Sequence, residues 1–432
     1  MTDISPMRRP LAALAAALAV ASASALAQDS TAATAGVFQR YAPQVVQIRI
    51  IELKSGSKSQ IGSGFFAAGA PALVTNFHVI APVVNEPADY RAEWVGRDGA
   101  GHPLRVLAVD VVHDLAVVSD DKPAARGFAL AAAPVAQGTR LYALGNPSDL
   151  GLSIVEGTYN GELQYALYPK MHFTGAINRG MSGGPAITAD GRVVGVNVAT
   201  AGNGIGFLVP ASYAAALLAR ATAPGYAPPK DFQPEIAAQV SAYQAEHFAA
   251  LLADSTAVVT LGDRTVPTRP ASFFRCWGDI TKADETRHYD VVSHRCETED
   301  EIFLSEDHST GSVYLHYWYY STTELGPSRF AALLQARYGT MSTELDAPET
   351  EAGNFHCVTR NVRRPAGERA ALTMRVATCL RRYKKLAGLY DVSTHVVVLG
   401  GGDHALIATL TVSGVSWENA EALTARFLGR IQ

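Results

Sequence analysis

Long basic runs are absent from this sequence, and so is any marked excess of charge of one sign. The 432 residues include 36 Lys and Arg against 40 Asp and Glu, which gives a formal net charge of −4. Nucleic-acid binding needs a concentrated basic face, so we expect no nucleic-acid partner. Hydrophobic residues make up 48% of the chain, which is enough to bury the cores of two or three domains.

A long hydrophobic run is also lacking, except at the N-terminus. There, Arg8 and Arg9 precede the short apolar run Leu11–Ala27, which ends in Ala-Leu-Ala. This pattern is typical of a secretory signal peptide covering residues 1–27. A retained membrane anchor is the alternative, but the run is short and rich in alanine for a span of ~20 residues. We expect a periplasmic or secreted protein, with no stable membrane span after signal cleavage.

Cysteine is scarce and confined to the second half of the chain, at Cys276, Cys296, Cys357 and Cys379. No pair has Cys-x-x-Cys spacing, and the histidines form no His-Glu-x-x-His motif, so we expect neither a metal nor another cofactor. An even number of cysteines in an exported chain indicates two disulfides, for which three connectivities are open. We favour Cys276–Cys296 and Cys357–Cys379, because each pair closes a short loop.

Residues 37–210 have the pattern of an all-β region. Short runs of β-branched and apolar residues recur, for example Val45–Ile50, Leu115–Val118 and Val193–Val198, and turn residues separate them. Many short strands over ~170 residues predict a barrel or a pair of barrels. A short helix over Tyr213–Arg220, capped by Ser212, is predicted to end a domain that covers residues 37–220.

The second half begins with a segment of linker composition, Pro224–Pro229. Within a linker of residues 221–265, helical spacing of apolar residues predicts a helix over Asp231–Asp254. Its apolar stripe is interpreted as a packing surface in preference to a binding groove, and consists of Ile236, Val240, Tyr243, His247 and Leu251.

Residues 266–432 are predicted to form a separately folding, disulfide-containing α+β domain, which we interpret as a degenerate duplication. Ser272–Cys276 resembles Gly353–Cys357, and each second cysteine precedes strand-like segments and a helix, at Ser328–Tyr338 and Trp417–Ile431. The aromatic run Tyr314–Tyr320 is interpreted as core and interface packing, with a binding platform as the alternative. The domain is not expected to supply catalytic residues.

Three segments before the linker supply a histidine, an aspartate and a serine. His78 follows Thr-Asn-Phe, Asp114 directly precedes an apolar strand, and Ser182 lies in Gly-Met-Ser-Gly-Gly-Pro. A serine hydroxyl needs an adjacent base to become a nucleophile, and a histidine can take and return its proton. A carboxylate fixes the tautomer of that histidine. Glycines around the serine let backbone N–H groups stabilise an oxyanion by ~3–4 kcal/mol per donor.

The order and context of these motifs resemble the trypsin-like serine proteases, and they look most similar to the HtrA/DegP group. Further segments fit that group, namely Leu144–Pro147, Phe173–Asn178 and Gly206–Pro210. The resemblance covers residues 37–218, roughly two fifths of the chain. It implies two six-stranded β-barrels with the site between them, and cleavage of unfolded or damaged envelope proteins without a metal or cofactor.

The resemblance also implies a role for each matching residue. Ser182 would be the nucleophile, His78 the general base and Asp114 the orienting acid, with the N–H groups of Gly180 and Ser182 as the oxyanion hole. Ala176 would form the floor of the primary specificity pocket, where trypsin-type enzymes carry an acid. A buried Lys or Arg would therefore lack a partner, which predicts cleavage after small or medium aliphatic residues.

The sequence departs from the group at the serine loop and after the barrels. Met181 stands where the group usually has Asn, and Arg179 places a cation beside the oxyanion loop, where it can influence substrate preference. No PDZ-like segment follows the barrels, so the group's peptide-sensing behaviour is not carried over. Two functions stay open: an active serine endopeptidase, or a catalytically impaired protease fold that binds peptides or acts as a scaffold. The intact triad residues favour the first.

Overall fold

The structure is a computed structural model that describes residues 32–96, 99–122, 126–200, 202, 204–252, 257–343, 345–364 and 371–432. The predicted signal peptide lies outside the described residues. Residues 32–41 form a first helix, α1, which leads into the first strand. No helix in the described ranges is both long and apolar enough to cross a membrane.

Six antiparallel strands close the first barrel, in the order β1-β2-β3-β6-β5-β4. A helix, α2 (Phe77–Asn85), follows the short third strand and packs on the barrel. The strand bounds are β1 (Val45–Glu52), β2 (Lys58–Phe66), β3 (Leu73–Thr75), β4 (Tyr90–Val95), β5 (Gly101–Asp110) and β6 (Leu115–Ser119). The apolar runs Val45–Ile50 and Leu115–Val118 bury most of their side chains in this barrel.

A second closed barrel has the order β10-β11-β12-β9-β8-β7, again with antiparallel neighbours. Its strands are β7 (Arg140–Gly145), β8 (Ser153–Glu162), β9 (Met171–Thr174), β10 (Pro185–Ile187), β11 (Val193–Thr200) and β12 (Gly206–Pro210). Two six-stranded antiparallel barrels are the trypsin-like double barrel that the sequence predicted, so this prediction is confirmed.

Two helices follow the barrels, α3 (Ala211–Ala221) and α4 (Gln233–Leu251). Both were predicted, but the cap of α3 was wrong: Pro210 occupies the capping position, and Ser212 lies inside the helix. Most of the apolar stripe of α4 is buried, as the packing interpretation required. Because this stripe is buried, α4 packs between the barrels and the rest of the chain.

The last part of the chain forms a seven-stranded antiparallel sheet in the order β15-β16-β19-β23-β22-β21-β20. Two small hairpins, β13–β14 and β17–β18, lie outside it, and helices α5 (Pro327–Gly339) and α6 (Trp417–Arg430) match the predicted pair. The strands are β13 (Val258–Leu261), β14 (Arg264–Pro267), β15 (Phe274–Thr281), β16 (Asp290–Thr298), β17 (Ile302–Ser305), β18 (His308–Thr310), β19 (Val313–Ser321), β20 (His356–Arg364), β21 (Leu372–Arg382), β22 (Tyr390–Leu399) and β23 (His404–Val415).

The order of these strands supports the duplication. In each repeat, two hairpin strands are followed by a third segment, a central strand and a helix. The third segment of the second repeat is β22, which lies in the sheet, whereas in the first repeat it is the separate hairpin β17–β18. Because that hairpin leaves the sheet, β16 pairs directly with β19. Each repeat's hairpin strands carry one cross-strand disulfide, Cys276–Cys296 and Cys357–Cys379.

The aromatic strand β19 presents different residues on its two faces. Leu315, Tyr317 and Tyr319 are buried in the core between the sheet and α6. Tyr320 is buried on the opposite face against α5, where Trp318 also packs. The buried face agrees with the packing interpretation. Tyr314, His316, Trp318 and Tyr320 line a cavity, so the binding platform stays open as the alternative.

The C-terminal domain packs against the barrels, and its separate folding stays a prediction. One continuous apolar cluster contains Phe77 and Ile80 of the first barrel region, Ile236 of α4, and Ile302 and Leu304 of the β17–β18 hairpin. Separation of the halves would expose this surface to water, which costs free energy in proportion to its area. The two halves therefore stabilise each other.

Candidate active site

The histidine of the predicted triad lies in the first turn of α2. Its Nδ1 is 2.6 Å from Oδ2 of Asp114, and its backbone N–H donates to Oδ1 of the same carboxylate over 2.8 Å. One carboxylate thus holds both the ring and the main chain of His78. With its proton on Nδ1, the imidazole keeps Nε2 free to accept a proton.

Asp114 is itself held in an unusual backbone conformation, with φ of +52°. Its carbonyl oxygen accepts hydrogen bonds from Nδ2 of Asn76 (2.7 Å) and from the N–H of Phe77 (3.2 Å). A non-glycine residue in the left-handed region persists only where its surroundings fix it. The turn before β6 and the start of α2 are therefore locked together at the site.

The electrostatic environment of His78 favours its charged form. Burial lowers the pKa of His78, but the charge of Asp114 and the hydrogen bond to it outweigh burial, so the pKa is raised above its ordinary value. The side chain of His78 is 24% exposed and that of Asp114 is 15% exposed. This arrangement stabilises an imidazolium, which is the species that forms when a histidine takes a proton from a neighbouring hydroxyl.

The loop that carries Ser182 has glycine at two positions where the backbone has a positive φ. Gly180 has φ of +93° in a turn closed by the Met181 N–H and the Asn178 carbonyl (2.9 Å). Gly183 has φ of +84°, and a Cβ there would collide with the carbonyl of Ser63. These conformations favour glycine at both positions. Neither Gly180 nor Ser182 uses its N–H as a donor to another residue in the described part of the chain.

A buried serine of the first barrel joins this loop, a role that the sequence did not predict. Oγ of Ser63 donates to the carbonyl of Gly180 (2.7 Å) and accepts from the N–H of Asn146 (2.8 Å). The N–H of Ser63 donates to the carbonyl of Ser182 over 2.8 Å. The Gly-Ser-Gly pattern in β2 was the available signal, but nothing local to β2 indicates contact with a loop 117 residues away.

The departure at Met181 is explained by packing. Met181 is fully buried in the apolar core of the second barrel, and its carbonyl accepts from Nδ2 of Asn197 over 3.3 Å. The same Nδ2 donates to the carbonyl of Leu144 over 2.9 Å. An apolar side chain thus anchors the loop where a polar one was expected.

The hydroxyl of Ser182 donates to the carbonyl of Val198 over 3.2 Å. Among the described residues, it makes no hydrogen bond to His78 or Asp114. A hydroxyl turns about a single bond, and catalytic hydrogen bonds often tighten only when substrate binds. Ala176 and Arg179, the predicted substrate-binding residues, are both exposed, whereas Ile177 between them is buried in the second barrel. Their roles in substrate preference remain predictions.

One group of side chains has the spacing of a metal site, but it lies in the C-terminal sheet. Cys276, His294 and Cys296 are the only such group within the described ranges. The two sulfurs are bonded to each other at 2.09 Å, and a metal ligand would need a thiolate. The two cysteines of this group therefore form a disulfide and offer no thiolate to a metal.

Comparison with known proteins finds a matching family model and several relatives. Residues 62–196 match the trypsin-like peptidase domain. The "Probable periplasmic serine endoprotease DegP-like" of Rhizobium meliloti (strain 1021) is 35% identical over 172 residues, covering 35% of this chain and 31% of that protein. Serine protease HTRA1A of Danio rerio is 29% identical over 190 residues, covering 41% of this chain and 38% of that protein. A solved serine endoprotease from Yersinia pestis is 23% identical, with a TM-score of 0.39, covering 44% of this chain and 66% of that chain.

The double barrel and the family match define residues 62–196 as a trypsin-like peptidase domain. The relatives that match are a DegP-like serine endoprotease and an HTRA1 serine protease, the group that the motifs resemble. The chain spans 31% of the length of the Rhizobium relative and 38% of the length of the Danio relative. No counterpart of the C-terminal sheet is contained in the family match, which ends at residue 196.

Proposed function

We propose that this protein is a serine endopeptidase that hydrolyses peptide bonds of envelope or secreted proteins. The observation that carries the proposal is the clasp of Asp114 on both the ring and the backbone of His78. Asp110 holds the ring and the N–H of His113 in the same way, so the contact at His78 supports the proposal together with its Thr-Asn-Phe-His context. The glycine-shaped loop at Ser182 supports the same conclusion.

The proposed reaction proceeds through an acyl-enzyme. Oγ of Ser182 attacks the substrate carbonyl as its proton passes to Nε2 of His78, and Asp114 stabilises the imidazolium. The N–H groups of Gly180 and Ser182 donate to the oxyanion. The C–N bond breaks as His78 protonates the leaving amine, and the acyl group stays on Oγ. Water, deprotonated by His78, then releases the carboxylate product.

The substrates are proposed to be polypeptides, including unfolded proteins. Ala176 brings no charge to the predicted primary specificity pocket, which supports cleavage after small or medium aliphatic residues. A periplasmic or secreted location is proposed from the N-terminal pattern and from the relative named as periplasmic. The proposed reaction requires no metal or cofactor.

One observation favours the second candidate, a catalytically impaired peptide-binding protein. The hydroxyl of Ser182 is directed at Val198 and the loop is packed around Met181. A fluorophosphonate distinguishes the two candidates, because it reacts with an activated serine. We expect labelling of the full-length protein and none of Ser182→Ala. A folded wild-type protein that stays unlabelled but binds casein would support the scaffold instead.

A further inference from the structure

The β17–β18 hairpin of the C-terminal domain reaches the catalytic histidine. The ring of Phe303 lies edge-on to the ring of His78, with centroids 5.9 Å apart and planes at 68°. Phe303 also contacts the ring of Phe77, at 6.4 Å and 69°. A residue more than 200 positions away in sequence thus lies against the proposed general base.

Packing and hydrogen bonds hold this hairpin on the first barrel. Ile302 and Leu304 are buried in the cluster shared with α2, and the carbonyl of Leu304 accepts from Nδ2 of Asn85 over 2.9 Å. Phe303 packs at the edge of the same cluster, against Phe77, and its ring also meets that of His78. Phe303 is half-buried, whereas both of its neighbours are buried.

The residue just before the hairpin binds the second barrel. The carboxylate of Asp300 pairs with Nζ of Lys170 and accepts from the N–H of Leu167 over 3.0 Å. Both charged side chains are largely buried, at 14% exposure for Lys170 and 15% for Asp300. The loop between β8 and β9 is therefore fixed to the same short segment that packs on α2. The segment 300–304 spans both barrels next to His78.

A peptide that places its carbonyl at Ser182 must pass beside the imidazole of His78, because the imidazole serves both the hydroxyl and the leaving amine. A side chain adjacent to the cleaved residue then packs near that ring. The space beside the ring is already partly occupied by Phe303.

We propose that Phe303 is a substrate-contacting residue of the protease site, and that its ring restricts one substrate position adjacent to the cleaved residue to small side chains. This proposal rests on the proposed endopeptidase function. The C-terminal domain, which lacks triad residues, would then shape the specificity of the site.

The test uses full-length Phe303→Ala and a panel of peptides varied on both sides of the cleaved residue. At one of these positions, the ratio of kcat/KM for a Phe or Trp peptide to that for an Ala peptide should be about tenfold higher in Phe303→Ala than in wild type. Apolar pockets discriminate between side chains by this order. Fluorophosphonate labelling is measured beside this ratio, because the small reagent reports the state of the triad without extending into the restricted position.

Phe355→Ala is the matched control, because Phe355 is a half-buried ring of the same domain, stacked on Arg381 at 4.6 Å. It should leave the preference unchanged. Phe303→Leu keeps apolar bulk and should give an intermediate shift, which preserves the test if Phe303→Ala does not fold.

Three outcomes separate the proposals. An unchanged preference in a folded, labelled Phe303→Ala protein overturns the subsite. Loss of labelling in Phe303→Ala with an unchanged melting temperature would make Phe303 a positioning residue for His78, which also overturns it. Absence of labelling in wild type contradicts the endopeptidase function itself. The proposal for Phe303 is then overturned as well, because it rests on that function.

Discussion

The double barrel and the C-terminal sheet contribute to one site in different ways. The barrels supply every member of the proposed triad and the loop that would hold an oxyanion, within residues 63–198. The C-terminal domain supplies none of these groups, yet it places Phe303 against His78 and Asp300 against Lys170. This difference suggests that chemistry and substrate selection are divided between the two halves.

The two C-terminal repeats differ at the segment that makes this contact. In the second repeat the third strand lies within the sheet, whereas the matching segment of the first repeat folds into the hairpin that meets the barrels. Helix α4 and Leu386 of the second repeat lie in the same apolar cluster as this hairpin, so the interface between the halves has three contributors. Changes in the barrels should therefore reduce kcat, and changes in the hairpin should alter specificity or stability.

The largest effect is expected from the triad. Ser182→Ala, His78→Ala and Asp114→Asn should each lower kcat for casein cleavage by ~10⁴-fold or more, and their combined loss should be far from additive. Melting temperatures near that of wild type would show that the fold survives. Cleavage close to the wild-type rate by Ser182→Ala would disprove the assignment.

Ser63→Ala should have the next largest effect. It leaves the Gly180 carbonyl and the Asn146 N–H without the buried partner they share, at a cost of about 1–3 kcal/mol in stability. Displacement of the serine loop by ~1 Å can lower kcat by ~10²-fold. Steady-state kinetics and thermal unfolding measure both losses. Ser59→Ala, at an exposed position of the same strand, should change neither; an equal loss in both variants would contradict the role of Ser63.

Asp300→Asn tests the contact between the halves. Removal of one partner from a largely buried ion pair leaves Lys170 uncompensated, so we expect the free energy of unfolding to fall by about 1–3 kcal/mol. Lys170→Met alone and the double variant complete a thermodynamic cycle. Additive effects of the two substitutions would mean that this pair does not join the halves.

A smaller effect is expected in the pH dependence. His78 must be neutral to act as a base, and its pKa is raised by Asp114 despite burial, so kcat/KM should rise with pH through a midpoint above ~6.5. The raised pKa also stabilises the fold. That contribution is fully present below ~6.5 and is lost as pH rises through the folded-state pKa. Melting temperatures of wild type and His78→Gln across this range should converge as pH increases; a constant difference would contradict the pairing.

The sequence predicted the barrels well because their signals are local, and the triad, which stays a prediction, rests on signals of the same kind. A serine in Gly-x-Ser-Gly-Gly-Pro and an aspartate at the start of an apolar strand each carry their context within a few residues. Helix α4 was also predicted, since its apolar stripe repeats at helical spacing.

The missed features are those that depend on contacts between distant segments. Ser63 has no local signal for its bond to Gly180, and Phe303 has none for its contact with His78. The core shared by the halves also has no local signal, because a Pro-rich segment, 224–229, indicates a break in secondary structure but not whether the elements on either side pack together. Only the tertiary arrangement carries that information.

The most direct test of the account is to trap the acyl-enzyme. The full-length protein would be mixed with an activated acyl ester, quenched in acid and mapped by peptide mass spectrometry. The account predicts one acyl group, on the peptide that contains Ser182, with no such group in Ser182→Ala and far slower acylation in His78→Ala. A folded wild-type protein that acquires no acyl group, or acquires it on another residue, would contradict it.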